Sequence, residues 1–181
     1  IKLVHTDDID IRVKKTIEEI TSAYPNHKIL IAYNSILGCT YIINSLDEEL
    51  RRDCAMLCSA KNSGIVEYYS DITNNQLPKK ISFMTCTYFV GIDISERFHL
   101  ISVINSKKTH TVLSTDKLKQ IAGRCRDAEG LLSETIIYST KAVPYDIMIS
   151  GYDGKGVSVL RVWSAQSSAI DMDAFNRGDY I

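Results

Sequence analysis

The sequence predicts an α/β fold built on an open, mostly parallel sheet with helices on both faces. Three observations carry this expectation. Short apolar runs such as Lys28–Tyr33 (KILIAY), Ile81–Thr85 (ISFMT) and His99–Asn105 (HLISVIN) have the composition of strands covered on both faces. Segments with helical spacing or capping signals alternate with these runs. Polar turns separate the two kinds of segment, which is the pattern of layered α/β domains.

Taken in order, residues 8–24 place Ile9, Val13, Ile17 and Ile20 at helical spacing, with acids early and Lys14 and Lys15 later, and Pro25 stops the helix. Lys28–Tyr33 is the first strand, and residues 36–43 read as a helix. Ser45 with Glu48 makes a capping box for a further helix reaching about Ser59, which places Cys54 and Cys58 on that helix. Gly64 ends the region and Ile65–Tyr69 reads as a strand. A polar turn, Asn74–Lys80 (NNQLPKK), leads into Ile81–Thr85, followed by His99–Asn105 and a short strand at Thr111–Ser114. Ser114, Thr115 or Asp116 caps a helix through about Arg126, and Glu134–Ser139 (ETIIYS) is the last strand of the pattern. After Val143 the reading stays open: Tyr145–Ser150 and Val157–Trp163 are either two strands around the Gly151–Gly156 turn or partly helical. The expected organisation is one domain over residues 1–142, with 143–181 as its extension or the start of an appended element.

Composition narrows the functional classes. With 181 residues, 45% of them hydrophobic, the chain buries a sizeable core. A formal net charge of −1 excludes a free-standing basic nucleic-acid module, so any polynucleotide contact is local or shared with another domain. No apolar run approaches a membrane span. The five scattered cysteines, an odd number, are read as reduced thiols of a cytosol-like compartment. Cys54 and Cys58 have no second Cys/His pair at metal-site spacing and read as buried thiols. His5, His27, His99 and His110 lie apart in sequence, and none is assigned to catalysis.

Two segments carry chemistry. In Ile81–Ile94 (ISFMTCTYFVGIDI) a strand ends at Thr85, and a loop closes on Gly91, Ile92 and Asp93. Ligands of open α/β sheets gather at the carboxyl ends of strands, where a hydroxyl and free backbone N–H groups hold phosphate. Gly91 permits a turn or close approach, and Asp93 is suited to a sugar hydroxyl or to orienting an arginine. In Gln120–Arg126 (QIAGRCR), Arg124 and Arg126 stand two apart, so they share a face only if the helix ends nearby. Guanidinium groups suit phosphate through their planar fork.

These segments resemble motifs V and VI of superfamily 2 helicases. Thr85 with Gly91, Ile92 and Asp93 matches the first, and Gln120, Gly123, Arg124 and Arg126 match the second. Lys28–Ser35 is similar to motif IV. The resemblance covers roughly residues 1–140 and is strongest over 81–126. It implies a second RecA-like lobe whose nucleotide is ATP with Mg²⁺, bound mainly by an upstream RecA-like lobe of the same protein. No P-loop and no strand-following Asp-Glu pair occur here; Asp47-Glu48 fits helix capping better. The resemblance further implies that Arg124 and Arg126 are catalytic, with Arg126 the favoured arginine finger and Arg124 either sharing the nucleotide contact or pairing with Asp93. Gln120, Gly91, Asp93 and Gly123 become nucleotide-binding, and Thr85, Ser35 and Thr87 contact nucleic acid. The last arginine comes two places after Arg124 rather than at Asp127, a contraction found in some viral and phage replication helicases, including the origin-binding sort. It points to DNA over RNA as the track. With the reduced thiols, the expected setting is cytoplasmic or nucleoid-associated, or the host cell for a virus.

Plainer readings stand beside these. Ser35 reads first as a helix cap, and Thr87 as ordinary loop polarity. Tyr68, Tyr69 and Tyr88 read first as packing residues, and Lys79 and Lys80 as turn charges. The rival class is a degenerate lobe that acts as an interaction scaffold without ATP turnover. A third is an unrelated α/β binding domain.

Overall fold

The computed structural model describes residues 1–140. The expectations for 143–181, and the domain boundary after 142, lie outside the described residues. Seven strands form one sheet: β1 (Lys2–His5), β2 (Lys28–Ala32), β3 (Cys54–Leu57), β4 (Tyr69–Ser70), β5 (Ile81–Met84), β6 (Phe98–Asn105) and β7 (Ser133–Ser139), in the order β1-β7-β6-β2-β5-β3-β4. Every strand pairing is parallel. The carboxyl ends of β6, β2 and β5 therefore lie side by side. This is the open parallel α/β sheet that the sequence predicts.

The helices are α1 (Ile9–Ala23), α2 (Ile36–Ser45), α3 (Glu48–Arg52) and α4 (Thr115–Ala122). Side-chain oxygens of Asp8, Ser35, Asp47 and Ser114 accept N–H groups at their N-termini. Because strand side chains alternate in direction, each central strand feeds both layers. Ile29, Ile31, Ile81, Phe83 and Val103 pack with Val13 and Ile17 of α1 and Ile42 and Ile43 of α2. Leu30, Met84, Leu100 and Ile104 pack on the other face with Leu118 and Ile121 of α4 and with Phe89 and Ile94 of the loop after β5. All eight residues of β6 are buried, as its central place demands.

Four local expectations are corrected. The helix expected from Ser45 to about Ser59 is instead the short α3 followed by β3. The cap is Asp47, whose Oδ1 accepts the Leu50 N–H at 2.9 Å, while Ser45 is the last residue of α2 and its hydroxyl donates to the Ile42 carbonyl. Ala, Met and Leu favour helix intrinsically, but the slot between β5 and β4 overrides that preference. The strand expected at Ile65–Tyr69 shrinks to Tyr69–Ser70, because 65 precedes the sheet in a turn and is 86% exposed. Thr111–Ser114 is not a strand; Thr109–Thr111 is a single 3₁₀ turn. The helix expected to reach Arg126 stops at Ala122, with Gly123 as its C-cap. In addition β1, which the sequence reading did not mark, pairs with β7 at the sheet edge.

Candidate nucleotide and nucleic-acid sites

The loop after β5 makes a 3₁₀ turn at Cys86–Tyr88, buries Phe89, and passes through Gly91, whose φ of +82° lies in the left-handed region that glycine tolerates best. It then buries Ile94. That residue forms a parallel bridge with Cys125, in which the Ile94 N–H donates to the Arg124 carbonyl (2.8 Å) and the Arg126 N–H donates to the Ile94 carbonyl (2.8 Å). The bridge sets the Gly-Ile-Asp segment directly beside the two arginines.

The two guanidinium groups then do different things. Arg124 donates through Nε to the Gln120 carbonyl (2.9 Å) and through Nη1 to the Ile92 carbonyl (2.8 Å), which ties the end of α4 to the Gly-Ile-Asp turn. Arg126 donates through Nε to Asp93 Oδ1 at 2.7 Å, with both side chains about half exposed, at 54% and 52%. The alternative left open by the sequence resolves here: the partner of Asp93 is Arg126, not Arg124. Because α4 ends at Ala122, the two arginines lie past the helix, and the facing rule for positions two apart does not bind them. The contact to Asp93 engages Nε, so among the described residues both terminal nitrogens of Arg126 remain as donors, which fits a phosphate group. Gln120 is exposed near the end of α4, and the Gly123 N–H closes the helix on the Lys119 carbonyl (2.9 Å).

A second site lies at the carboxyl ends of the strands. An open groove of about 360 Å³ is lined by Asn34, Ser35, Ile36, Leu37, Ser59, Asn62, Thr85, Cys86, Thr87 and His110. It gathers the three residues expected to contact nucleic acid, while Gly91 and Asp93 do not line it. Ser35 is the cap of α2, its hydroxyl accepting the Gly38 N–H (3.1 Å), and it also lines the groove at the N-terminus of that helix. Thr85 is only 6% exposed and its N–H donates to the Leu57 carbonyl (3.0 Å), so Cys86 and Thr87 present more of this wall to solvent. The groove also holds residues the sequence reading missed. Asn34 stands next to last in the motif IV-like stretch and was legible as a polar residue after a strand. Ser59, Asn62 and His110 follow β3 and β6, and misassigning β3 as helix hid the first two.

The remaining candidates fall into place. Tyr68 donates to Asn44 Oδ1 (2.7 Å) and Tyr88 to Asp71 Oδ1 (2.6 Å). Cys54, Met56 and Cys58 point to one face of β3 and its exit, inside the core. Burial, aided by Asp53, pushes the Cys54 thiol up to about 12, and burial also raises that of Cys58, as expected of inert core thiols. Among the described residues, no group of three or more His, Cys, Asp or Glu is placed to hold a metal ion, and no helix is long and apolar enough to cross a membrane. At the opposite, N-terminal edge of the sheet, His27 Nδ1 lies 3.0 Å from His99 Nε2, and Tyr24 stacks on His27 beside a cavity of about 660 Å³. No spacing signal foretold this pair, because 72 residues separate its members.

Two comparisons with known proteins bear on this chain. A family model described as carbohydrate phosphorylase matches residues 105–181, less than half of the chain, and that span takes in Arg124 and Arg126 but not Thr85 or Asp93. Among solved structures the chain is similar to one titled "Mss116p DEAD-box helicase domain 2 bound to an RNA duplex", at 13% identity and a TM-score of 0.48. That likeness covers 86% of this chain and 60% of the other, so the chain spans less than two thirds of that protein's chain.

Proposed function

We propose that the chain is the second motor lobe of an ATP-dependent superfamily 2 helicase or translocase. The observation that supports this reading is the junction of its two motif-like segments: a backbone bridge at Ile94 and Cys125, and a half-exposed Asp93–Arg126 pair beside it. A first RecA-like lobe of the same protein supplies the phosphate-cradling loop and holds most of the ATP and Mg²⁺. Arg126 exchanges Asp93 for the terminal phosphate across the cleft between lobes and stabilises developing charge there, an effect of roughly 10³–10⁵ in rate for arginine fingers. Arg124 braces it through the Ile92 and Gln120 carbonyls. Gln120, Gly91, Gly123 and Asp93 border the nucleotide. Ser35, Thr85 and Thr87 grip the sugar-phosphate backbone with hydroxyls and the N-terminus of α2. Once the terminal phosphate has gone, Arg126 returns to Asp93, the lobes part and the grip advances. DNA is the preferred track, on the contracted arginine spacing shared with viral and phage replication helicases.

Two measurements test this. The 181-residue chain should bind fluorescein-labelled single strands, DNA before RNA, with an affinity that falls as salt rises. In the longer protein that carries both lobes, Arg126→Ala should abolish nucleic-acid-stimulated ATP hydrolysis while leaving strand binding largely intact. Unchanged turnover defeats the finger assignment. A wild-type two-lobe protein that binds strands but never hydrolyses ATP favours the scaffold instead.

A further inference from the structure

We infer that Asn34 is the positioning residue that sets the groove's walls and connects its occupancy to the segment bearing Arg124 and Arg126. The inference rests on the reading of that groove as a nucleic-acid site. Asn34 sits between β2 and the Ser35 cap of α2. Its Oδ1 accepts the Cys86 N–H (3.2 Å) and its Nδ2 donates to the His110 carbonyl (2.7 Å). One carboxamide thereby ties together the loops that follow β2, β5 and β6, which are neighbours in the sheet. The task needs a donor and an acceptor on one short side chain, which an amide offers and a carboxylate does not.

The far end of this tie is stiff. Thr111, next to His110, is fully buried, and its hydroxyl contacts the Lys108 carbonyl (2.8 Å) and the Asn105 carbonyl (2.9 Å) and accepts the Asn105 N–H (3.1 Å). Three residues further on, Ser114 caps α4, and the end of α4 carries the arginine segment. On the near side, Cys86 is exposed in the groove, so a phosphate seated between Ser35 and Thr87 touches the strand exit that Asn34 holds. A shift or stiffening of the β5 exit therefore reaches α4 through one side chain and one rigid turn, a contiguous route of the kind that carries coupling between sites.

The test uses the 181-residue chain, a fluorescein-labelled single-stranded oligothymidylate, and amide hydrogen exchange. In the wild-type chain, bound oligonucleotide should slow exchange both at Cys86 and across residues 109–122. Asn34→Ala should weaken binding about tenfold through the loss of two hydrogen bonds. At saturating oligonucleotide it should keep protection near Gly38 and Cys39 but lose it across 109–122. Asn34→Asp keeps the acceptor for Cys86 and removes the donor to His110, so at saturation it should protect Cys86 and not 109–122. It also serves if Asn34→Ala does not fold. Wild-type protection of 109–122 persisting in the saturated variants overturns the inference alone. No binding by the wild-type chain overturns the groove reading and the inference with it.

Discussion

Arg126 Nε donates to Asp93 Oδ1 at 2.7 Å across 33 residues of sequence, and this pair is where the two motif-like segments touch through side chains. Both partners are half exposed, so solvent screens the attraction and its contribution to folding is small, about 0.2–1 kcal/mol. A double-mutant cycle on Asp93→Ala and Arg126→Ala, read by urea unfolding, should give a coupling energy in that range that shrinks further with added salt. The same Arg126→Ala change is expected to be decisive for turnover in the two-lobe protein. That contrast, small for stability and large for activity, is the mark of a group held for use. A coupling of several kcal/mol would mark the pair as structural.

Arg124 should behave in the opposite way. Its fork satisfies the Ile92 and Gln120 carbonyls, and the side chain is partly buried. Arg124→Lys keeps the charge but offers one ammonium in place of two diverging donors, so it cannot hold both carbonyls in the same geometry. A destabilisation of about 1–2 kcal/mol is expected, measured as a lower denaturation midpoint at unchanged slope. Arg124→Lys with wild-type stability would show that the bridge at Ile94 and Cys125 holds the two segments unaided.

The two segments that meet at the Asp93–Arg126 pair were legible in the sequence. Thr85, Gly91, Asp93, Gln120, Gly123, Arg124 and Arg126 were marked by residue type and order, and the buried strands β2, β5 and β6 by continuous apolar runs. Pairing was not legible. Which arginine meets Asp93 depends on where α4 stops, which Gly123 marks as a C-cap, and on the one-residue bridge at Cys125, which has no local signal. β3 was lost because Cys54–Leu57 has helix-favouring residues and its strand state comes from neighbours distant in the chain. Asn34 illustrates the same limit: its residue type is visible, but its two partners lie 52 and 76 positions away.

The His27–His99 pair predicts a pH dependence. His99 is 5% exposed, with Nε2 against His27 Nδ1 and Nδ1 against Ser133 Oγ (2.8 Å). Burial, and then the neighbouring His27, lower its pKa from the ordinary value of 6.5. The unfolded chain therefore takes up a proton that the folded chain resists, so stability is full above 6.5 and is lost as pH falls through that value towards the lowered folded one. The carboxyls of Asp10 and Glu134, raised by burial, act in the reverse direction in a more acidic window, above the ordinary 3.8 and 4.5. Urea unfolding between neutral pH and about pH 5, the range in which histidine titrates, should show the decline, and His99→Gln should flatten it. An identical slope in the variant would assign the dependence to other groups.

The last prediction concerns the packing under the groove. Gly38 lies in the first turns of α2, and a methyl group there would stand 2.4 Å from Cε1 and 2.9 Å from Cζ of Tyr33. Tyr33 is fully buried between the sheet and α2, so its ring has little room to yield. Two effects oppose each other in Gly38→Ala. Helix propensity favours alanine by about 1 kcal/mol, whereas overpacking a closed core costs about 1–3 kcal/mol. The clash involves a rigid ring rather than the end of a flexible chain, so overpacking should win and the variant should be less stable, by up to about 2 kcal/mol, in chemical denaturation. Because Ser35 caps α2 through the Gly38 N–H, strain at this position also tilts the helix end that faces the groove, and strand binding should weaken in parallel. Shrinking the ring separates the causes: in a Tyr33→Leu background, Gly38→Ala should become neutral or stabilising. A Gly38→Ala protein more stable than wild type would show that Tyr33 moves aside and that the core here is looser than its burial implies.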